Sequence, residues 1–145
     1  MWEVLFRNFE RHVSLTEDEK EIVKSLFQHR KYRKRQFILQ EGDVSRYESF
    51  IVSGLTRTYE IDEKGQEHVL QFGMEDWWVG DMYSFFTETP STCHIDCLEE
   101  TNLLQISKPN EDILFAKVPK LERFFRILVQ NAYIIIAAVG LSFVM

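Results

Sequence analysis

A series of short strand segments separated by glycine turns constrains the fold of this chain more than any other feature of its sequence. The segments are rich in β-branched and aromatic residues and span residues 36–40, 48–53, 55–61 and 66–72. Gly42, Gly54 and Gly65 lie in the turns between them, where a tight turn needs positive φ. Two more strands are predicted at residues 92–97 and 101–107. Closely spaced strands with turns of this kind favour a roll or a barrel.

Helices are predicted on both sides of this strand region. Apolar residues with helical spacing predict a first helix within residues 1–13, and a capping box at residues 16–19 begins a second. A proline followed by acidic residues predicts a short helix over residues 108–116, and one long helix is expected over residues 119–140. We divide the chain into a strand-rich unit with N-terminal helices and a C-terminal helix with an apolar tail, at residues 1–118 and 119–145.

The size and charge of the chain limit the functions that it can have. Its 145 residues suffice for one domain, and 45% hydrophobic and 28% charged residues are typical of a soluble protein. The net charge of -6 repels phosphate backbones, so nucleic-acid binding would need a concentrated basic surface. The candidate is the basic run at residues 30–35, which we interpret as a solvated strand face, with contact to an anionic partner as the alternative. The N-terminus is too charged for a signal peptide, so we expect a cytoplasmic protein.

The two cysteines, Cys93 and Cys97, are predicted to be free thiols. They lie in one predicted strand, where a rise of about 3.3 Å per residue separates them by about 13 Å. A disulfide needs Cα atoms within about 7 Å of one another. Both side chains are therefore expected on the same strand face, pointing into a core, as a reducing compartment permits.

The long C-terminal helix is apolar along two sides. A helix of this kind needs two partners, which we expect to be the strand unit and a second copy of the same helix. Gln130 and Asn131 interrupt its apolar stretch before it reaches the roughly 20 residues of a membrane span, so we expect no membrane anchor. The predicted dimer seam consists of Leu121, Phe125, Leu128, Ala132 and Ile135.

Three motifs, in this order, resemble those of the cyclic-nucleotide-binding domain. Residues 37–43 resemble the segment that opens the roll of that domain, and residues 50–57 resemble its hairpin with the characteristic glycine. Residues 78–85 resemble its phosphate-binding cassette, and residues 90–93 follow at the expected distance. The resemblance is strongest to the catabolite-activator-like (Crp/Fnr) regulators. It implies an α+β, mainly β fold: a double-stranded β-helix, or jelly-roll-like β-roll, flanked by N-terminal helices and one long C-terminal helix.

The resemblance also implies where a ligand would bind. In members that bind cyclic nucleotides, a glycine admits the phosphate, a glutamate holds the ribose hydroxyl and an arginine neutralises the phosphate. Here Gly80 is present, Asp81 occupies the place of the glutamate, and Ser91 occupies that of the arginine. The implied ligand is a cyclic nucleotide or another small anion, but without the arginine we expect cyclic AMP to bind weakly or not at all. The implied ligand-binding residues are Gly80, Asp81, Met82, Tyr83, Ser91 and Thr92.

Two details of this site stay open on the sequence. Asp81 is either a contact to a ligand hydroxyl or an N-terminal helix cap. Trp77 and Trp78, immediately before the cassette, are expected to fill part of the cavity.

Three functions remain open at this point. The first is a sensory or regulatory module without enzyme activity, a homodimer whose cassette shifts the long helix when it is occupied. The second is a transcription regulator that lacks its helix-turn-helix, since the sequence stops at Met145 where family members continue. The third is a cupin-type metal enzyme, which is disfavoured because no metal-ligand spacing or catalytic motif occurs and the histidines are scattered at His12, His29, His68 and His94. We therefore expect no metal, no enzyme activity and no direct DNA binding by this chain.

Overall fold

The computed structural model describes the backbone of residues 1–138 and the side chains of residues 1–131. Most of the predicted elements are confirmed, with small shifts at their ends. The helices are α1 (Trp2–Phe9), α2 (Glu17–Leu26), α3 (Met82–Thr87), α4 (Lys108–Lys117) and α5 (Pro119–Ala138). The strands are β1 (Gln28–Tyr32), β2 (Phe37–Leu39), β3 (Tyr47–Ser53), β4 (Leu55–Ile61), β5 (Glu67–Met74), β6 (Trp78–Val79), β7 (His94–Cys97) and β8 (Thr101–Ser107).

The strands form two four-stranded antiparallel sheets, which confirms the predicted mainly β roll. The first sheet has the order β1-β8-β3-β6 and the second has the order β2-β7-β4-β5. Strand β6 was not predicted from the sequence, and β1 was expected only as a solvated strand face within residues 30–35. All of β1 except Tyr32 is exposed, so it carries no apolar alternation, and β6 has only two residues. The position of β1 is therefore determined by its pairing with β8 more than by its own composition.

The central strands of the first sheet are buried on both faces. On β3, Phe50 and Val52 face a core formed with the helices, whereas Ile51 faces a second core between the two sheets. On β8, Leu104 likewise faces the core formed with the helices, and Leu103 faces the core between the sheets. This two-sided burial explains why apolar residues are adjacent, and do not alternate with polar ones, at residues 50–52 of β3 and 103–104 of β8.

The core beneath the helices is rich in aromatic rings. Trp78 lies at its centre, with ring centroids 5.1 Å from both Phe50 and Phe125 and 5.9 Å from Phe9. The indole N–H of Trp78 donates to Asn8 Oδ1 at 3.0 Å, which satisfies its polar atom. Trp78 therefore packs under the helices and does not fill the cassette cavity, a correction to the sequence interpretation, and the Trp77 side chain is 43% exposed.

The turn from β3 to β4 carries the chain from the first sheet to the second and requires a glycine. Gly54 has a φ of +119°, and a Cβ placed there would lie 2.3 Å from Thr101 Oγ1 and 2.6 Å from Thr101 Cα. Only a residue without a side chain fits between the two sheets at this point.

The start of α5 belongs to the core of the chain. Leu121 is 0% exposed and Phe125 is 4% exposed, and both pack against the N-terminal helices and the first sheet. The predicted assignment of these two residues to a dimer seam is therefore corrected, because their apolar surface is already covered. Leu128 is half-buried at the edge of the same core, and the side chains of Ala132 and Ile135 lie outside the described part. Among the described helices, none is long and apolar enough to cross a membrane.

Candidate ligand-binding site

The cassette segment connects strand β6 of the first sheet to the short helix α3. Gly80 follows β6 with a φ of +153°, and a Cβ there would approach the carbonyl oxygen of Tyr47 to 3.5 Å. Asp81 then caps α3, because its Oδ1 accepts from the backbone N–H of Ser84 at 3.1 Å. The glycine and the capping aspartate thus fix the direction in which α3 leaves the sheet.

Asp81 and Ser91, the two residues that replace the family's glutamate and arginine, contact each other. Ser91 Oγ donates to Asp81 Oδ2 at 2.7 Å, so each oxygen of this carboxylate accepts a hydrogen bond. Ser91 Oγ also accepts from the backbone N–H of Cys93 at 3.1 Å. Asp81 is therefore a helix cap that also closes the cassette onto the following strand.

The loop between β2 and β3 is fastened to this network through backbone groups. The N–H of Ser91 donates to the Asp43 carbonyl at 2.8 Å, and the N–H of Gly42 donates to the Ser91 carbonyl at 2.9 Å. Ser84, which is fully buried, accepts from the N–H of Ser45 at 2.8 Å and donates to the Thr89 carbonyl at 2.6 Å. A change in the cassette would therefore reach this loop directly.

The electrostatics of the cassette differ from those of a phosphate site. Within the described residues, the groups hydrogen-bonded to Asp81 and Ser91 include no cation, and Asp81 contributes a negative charge. Burial raises the pKa of the Cys93 thiol to about 11, and the neighbouring Asp81 charge adds to this rise, so the thiol is neutral at pH 7. A phosphate placed on Ser91 would meet the Asp81 carboxylate and neutral donors, because the nearby arginine, Arg46, lines the adjoining cleft and bonds to neither residue.

The other predicted site residues lie around this network. Thr92 is exposed and its hydroxyl donates to Glu60 Oε1 at 3.2 Å on β4. Met82 is half-buried in the first turn of α3, and Tyr83 is 50% exposed. The structure thus brings together Gly80, Asp81 and Ser91 and places Thr92 and Tyr83 toward solvent.

A cleft of about 300 Å³ opens beside Gly80, between the β2–β3 loop and the inner face of the first sheet. Its polar lining includes Asp43, Arg46, Ser49 and Gln105, and sequence analysis identified none of these as site residues. A sequence signal does exist for Gln105, which is a polar residue between the apolar Leu104 and Ile106. Arg46 carried no signal, because a lone arginine between two strands is usually only solvated.

The link between the cassette and the C-terminal helices is made by Lys108. Its ammonium group donates to the Phe86 carbonyl at 2.9 Å and lies 3.6 Å from a carboxylate oxygen of Glu88. Phe86 is in α3, Glu88 caps its C-terminal end, and Lys108 begins α4, which packs against α5. The end of the cassette helix is therefore tied to the start of the C-terminal helical region.

Comparisons with known proteins agree with this geometry. The family model of the cyclic nucleotide-binding domain matches residues 29–117. A cyclic nucleotide-binding domain from Methylobacillus flagellatus KT has a TM-score of 0.75 at 15% identity, with 99% of this chain and 86% of that chain covered. The sensor domain of the transcriptional regulator DNR from Pseudomonas aeruginosa has a TM-score of 0.73 at 12% identity, with 99% and 94% covered.

The catabolite activator protein of Thermus thermophilus has a TM-score of 0.70 at 22% identity; the match covers 88% of this chain and spans 61% of the length of that protein. No curated protein sequence matches the chain closely. The structural likenesses show the fold, and the family match, residues 29–117, extends over more than half of the 145 residues. The chain therefore belongs to the cyclic nucleotide-binding domain family, with the β-roll of the Crp/Fnr sensor domains.

Proposed function

We propose that this chain is a cytoplasmic, non-enzymatic sensory module that transmits a change at its cassette to its C-terminal helix. The observation that carries the proposal is the continuous series of contacts from Ser84 and Asp81 in α3, through Lys108, to α4 and α5. A ligand shifts such an equilibrium when it binds one arrangement of these elements more tightly than the other. The output would be the position or the stability of α5.

The ligand preference follows from the charge of the cassette. A cyclic phosphate would lie beside the Asp81 carboxylate without the arginine that neutralises it in other members of the family. Charge-assisted hydrogen bonds contribute roughly twice as much as neutral ones, so Ser91 and backbone amides do not replace the missing cation. Cyclic AMP and cyclic GMP are therefore expected to bind weakly or not at all.

We propose that the module forms a homodimer through α5. The side of α5 that carries Leu121 and Phe125 is used by the chain itself, whereas Ile127 and Val129 are half-buried and do not join that core. Ile127→Glu would place a charge in the proposed seam at little cost to the core and is expected to give a folded monomer. Light scattering would measure the molar mass of the variant in solution. Glu122→Gln, a substitution at an exposed position of the same helix, is the control and should remain a dimer. An unchanged Ile127→Glu dimer would refute a seam at this position.

Coupling between the cassette and α5 can be tested without a ligand. Ser84→Ala removes a buried hydroxyl that holds both the β2–β3 loop and Thr89, which loosens the cassette locally by roughly 1 to 3 kcal/mol. Amide hydrogen exchange is expected to rise in α4 and α5 as well as in α3. The same substitution in a Lys108→Met background should leave exchange in α4 and α5 at the level of Lys108→Met alone. Amide exchange rates in α4 and α5 that are the same in Ser84→Ala and in the wild type would contradict the proposal.

A further inference from the structure

We propose that the cleft beside Gly80 binds a small zwitterion of the α-amino-acid type, with its carboxylate on Arg46 and its ammonium group on Asp43 and Gln105. This inference rests on the proposed function, because it identifies the class of effector that the module senses. It places the ligand next to the cassette, in a cleft that does not include Asp81 or Ser91.

The charges that line the cleft are opposite in sign and unused by the protein. Arg46 and the Asp43 side chain are exposed, and neither makes an ion pair or a side-chain hydrogen bond within the described residues. Some basic residues elsewhere on this surface are paired with acids, as Arg57 is with Asp96 at 2.9 Å. A ligand that carries one positive and one negative group would satisfy both free charges, whereas a simple anion would leave Asp43 as a repulsive neighbour.

The floor of the cleft is polar where the inner face of the sheet should be apolar. Ile51 and Leu103 fill the inner face further along, but Ser49 and Gln105, paired across β3 and β8, occupy it at the cleft. Gln105 is 3% exposed; its Nε2 donates to Ser49 Oγ at 2.9 Å, and its Oε1 has no partner within the described residues. A buried acceptor without a partner costs about 1 to 3 kcal/mol. Because this oxygen has almost no accessible surface, the Gln105 amide must turn toward the cleft to accept from an N–H donor of a ligand, and that bond would remove the cost.

The size and the walls of the cleft limit the ligand further. A volume of about 300 Å³ is at the lower end of the range for ligand pockets, which favours a molecule smaller than a mononucleotide. Ile38, Leu39 and Ile95 supply an apolar wall. An α-amino acid with an aliphatic side chain matches this wall as well as the two charges.

The test uses calorimetric titration of the full chain with L-leucine to millimolar concentration. Two analogues, 4-methylpentanoate and isopentylamine, each lack one of the charged groups. Saturable binding of L-leucine that exceeds the binding of both analogues is expected. Arg46→Gln is expected to weaken it roughly ten- to hundredfold, because one charge-assisted contact is lost. Arg33→Gln, an exposed arginine outside the cleft, should retain the affinity of the wild type.

The outcomes separate this inference from the proposed function. No binding of L-leucine, or binding that Arg46→Gln leaves unchanged, would overturn the inference, and the exchange experiment on α4 and α5 would still stand. Binding that depends on Arg46 while exchange in α5 ignores both ligand and Ser84→Ala would keep the site and refute the sensory function. Gln105→Leu provides a second variant, which should weaken binding while its thermal unfolding shows that the fold is intact.

Discussion

Two buried glutamates between the roll and α4 make a strong prediction about stability. Glu48 on β3 is 7% exposed and Glu111 on α4 is 3% exposed, and their carboxyl groups hydrogen bond to each other. Two carboxylates cannot share a hydrogen bond, so one must be protonated. Burial raises the pKa of Glu48 well above its ordinary value of 4.5, and the bond to Glu111 raises it further, so Glu48 holds the proton.

The sign of the pH dependence follows from this raised pKa. Between pH 4.5 and the raised pKa of Glu48, the folded state holds a proton that the unfolded chain has lost. The stabilisation that the protonated Glu48 contributes is therefore complete below pH 4.5. It is lost as the pH rises through the pKa that Glu48 has in the folded protein. One such proton changes the free energy of unfolding by at most about 1.4 kcal/mol per pH unit.

Glu48→Gln should remove most of this dependence. The amide takes up no proton at position 48 on folding, so only the pKa of Glu111, which its own burial raises, still contributes to the pH dependence. Urea unfolding at a series of pH values from 4.5 upward would give the slope for the wild type and the variant. We expect a smaller slope for Glu48→Gln and greater stability than the wild type at the high end of the series. Glu21→Gln, on the exposed face of α2, is the control and should follow the wild type; parallel curves for all three proteins would refute the reasoning.

Three further predictions follow from individual contacts. Gly54→Ala should lower the free energy of unfolding by about 2 to 5 kcal/mol in chemical denaturation, because its Cβ would overlap Thr101 at a positive φ; a loss below 1 kcal/mol would contradict the close approach of the two sheets. Asp81→Ala should cost about 1 to 2 kcal/mol, since a cap is lost and Ser91 loses its acceptor, and light scattering should show an unchanged mass. Cys93, with a pKa of about 11, should react with iodoacetamide at pH 7.5 more than about a hundredfold slower than an ordinary thiol, as followed by mass spectrometry; rapid labelling of the folded protein would show that the thiol is not buried as described.

Local patterns in the sequence were sufficient to predict the roll. Alternating strand segments, turn glycines and the capping box at Thr16 each depend on residues close in sequence, and all of these elements are present. The free, buried state of Cys93 and Cys97 also followed from strand geometry. Strand β1 was indicated only as a solvated strand face within residues 30–35, because its position is fixed by pairing with β8, a partner distant in sequence.

The site was harder to predict for the same reason. The sequence identified Asp81 and Ser91 as replacements but could not show that they bond to each other, since α3 separates them. The Glu48–Glu111 pair and the Arg46–Gln105 cleft each join distant segments. Leu121 and Phe125 of the apolar line on α5 are buried, but periodicity does not reveal whether a residue such as Phe125 contacts its own chain or a second copy.

The central claim is that Asp81 and Ser91 close the cassette without a cation for a cyclic phosphate. The most direct test is calorimetric titration of the full chain with cyclic AMP and cyclic GMP, extended to millimolar concentration. The account predicts no saturable binding in the micromolar range for either nucleotide. Saturable micromolar binding that is lost in Ser91→Ala would contradict it, because Ser91 and the backbone amides would then serve in place of the arginine.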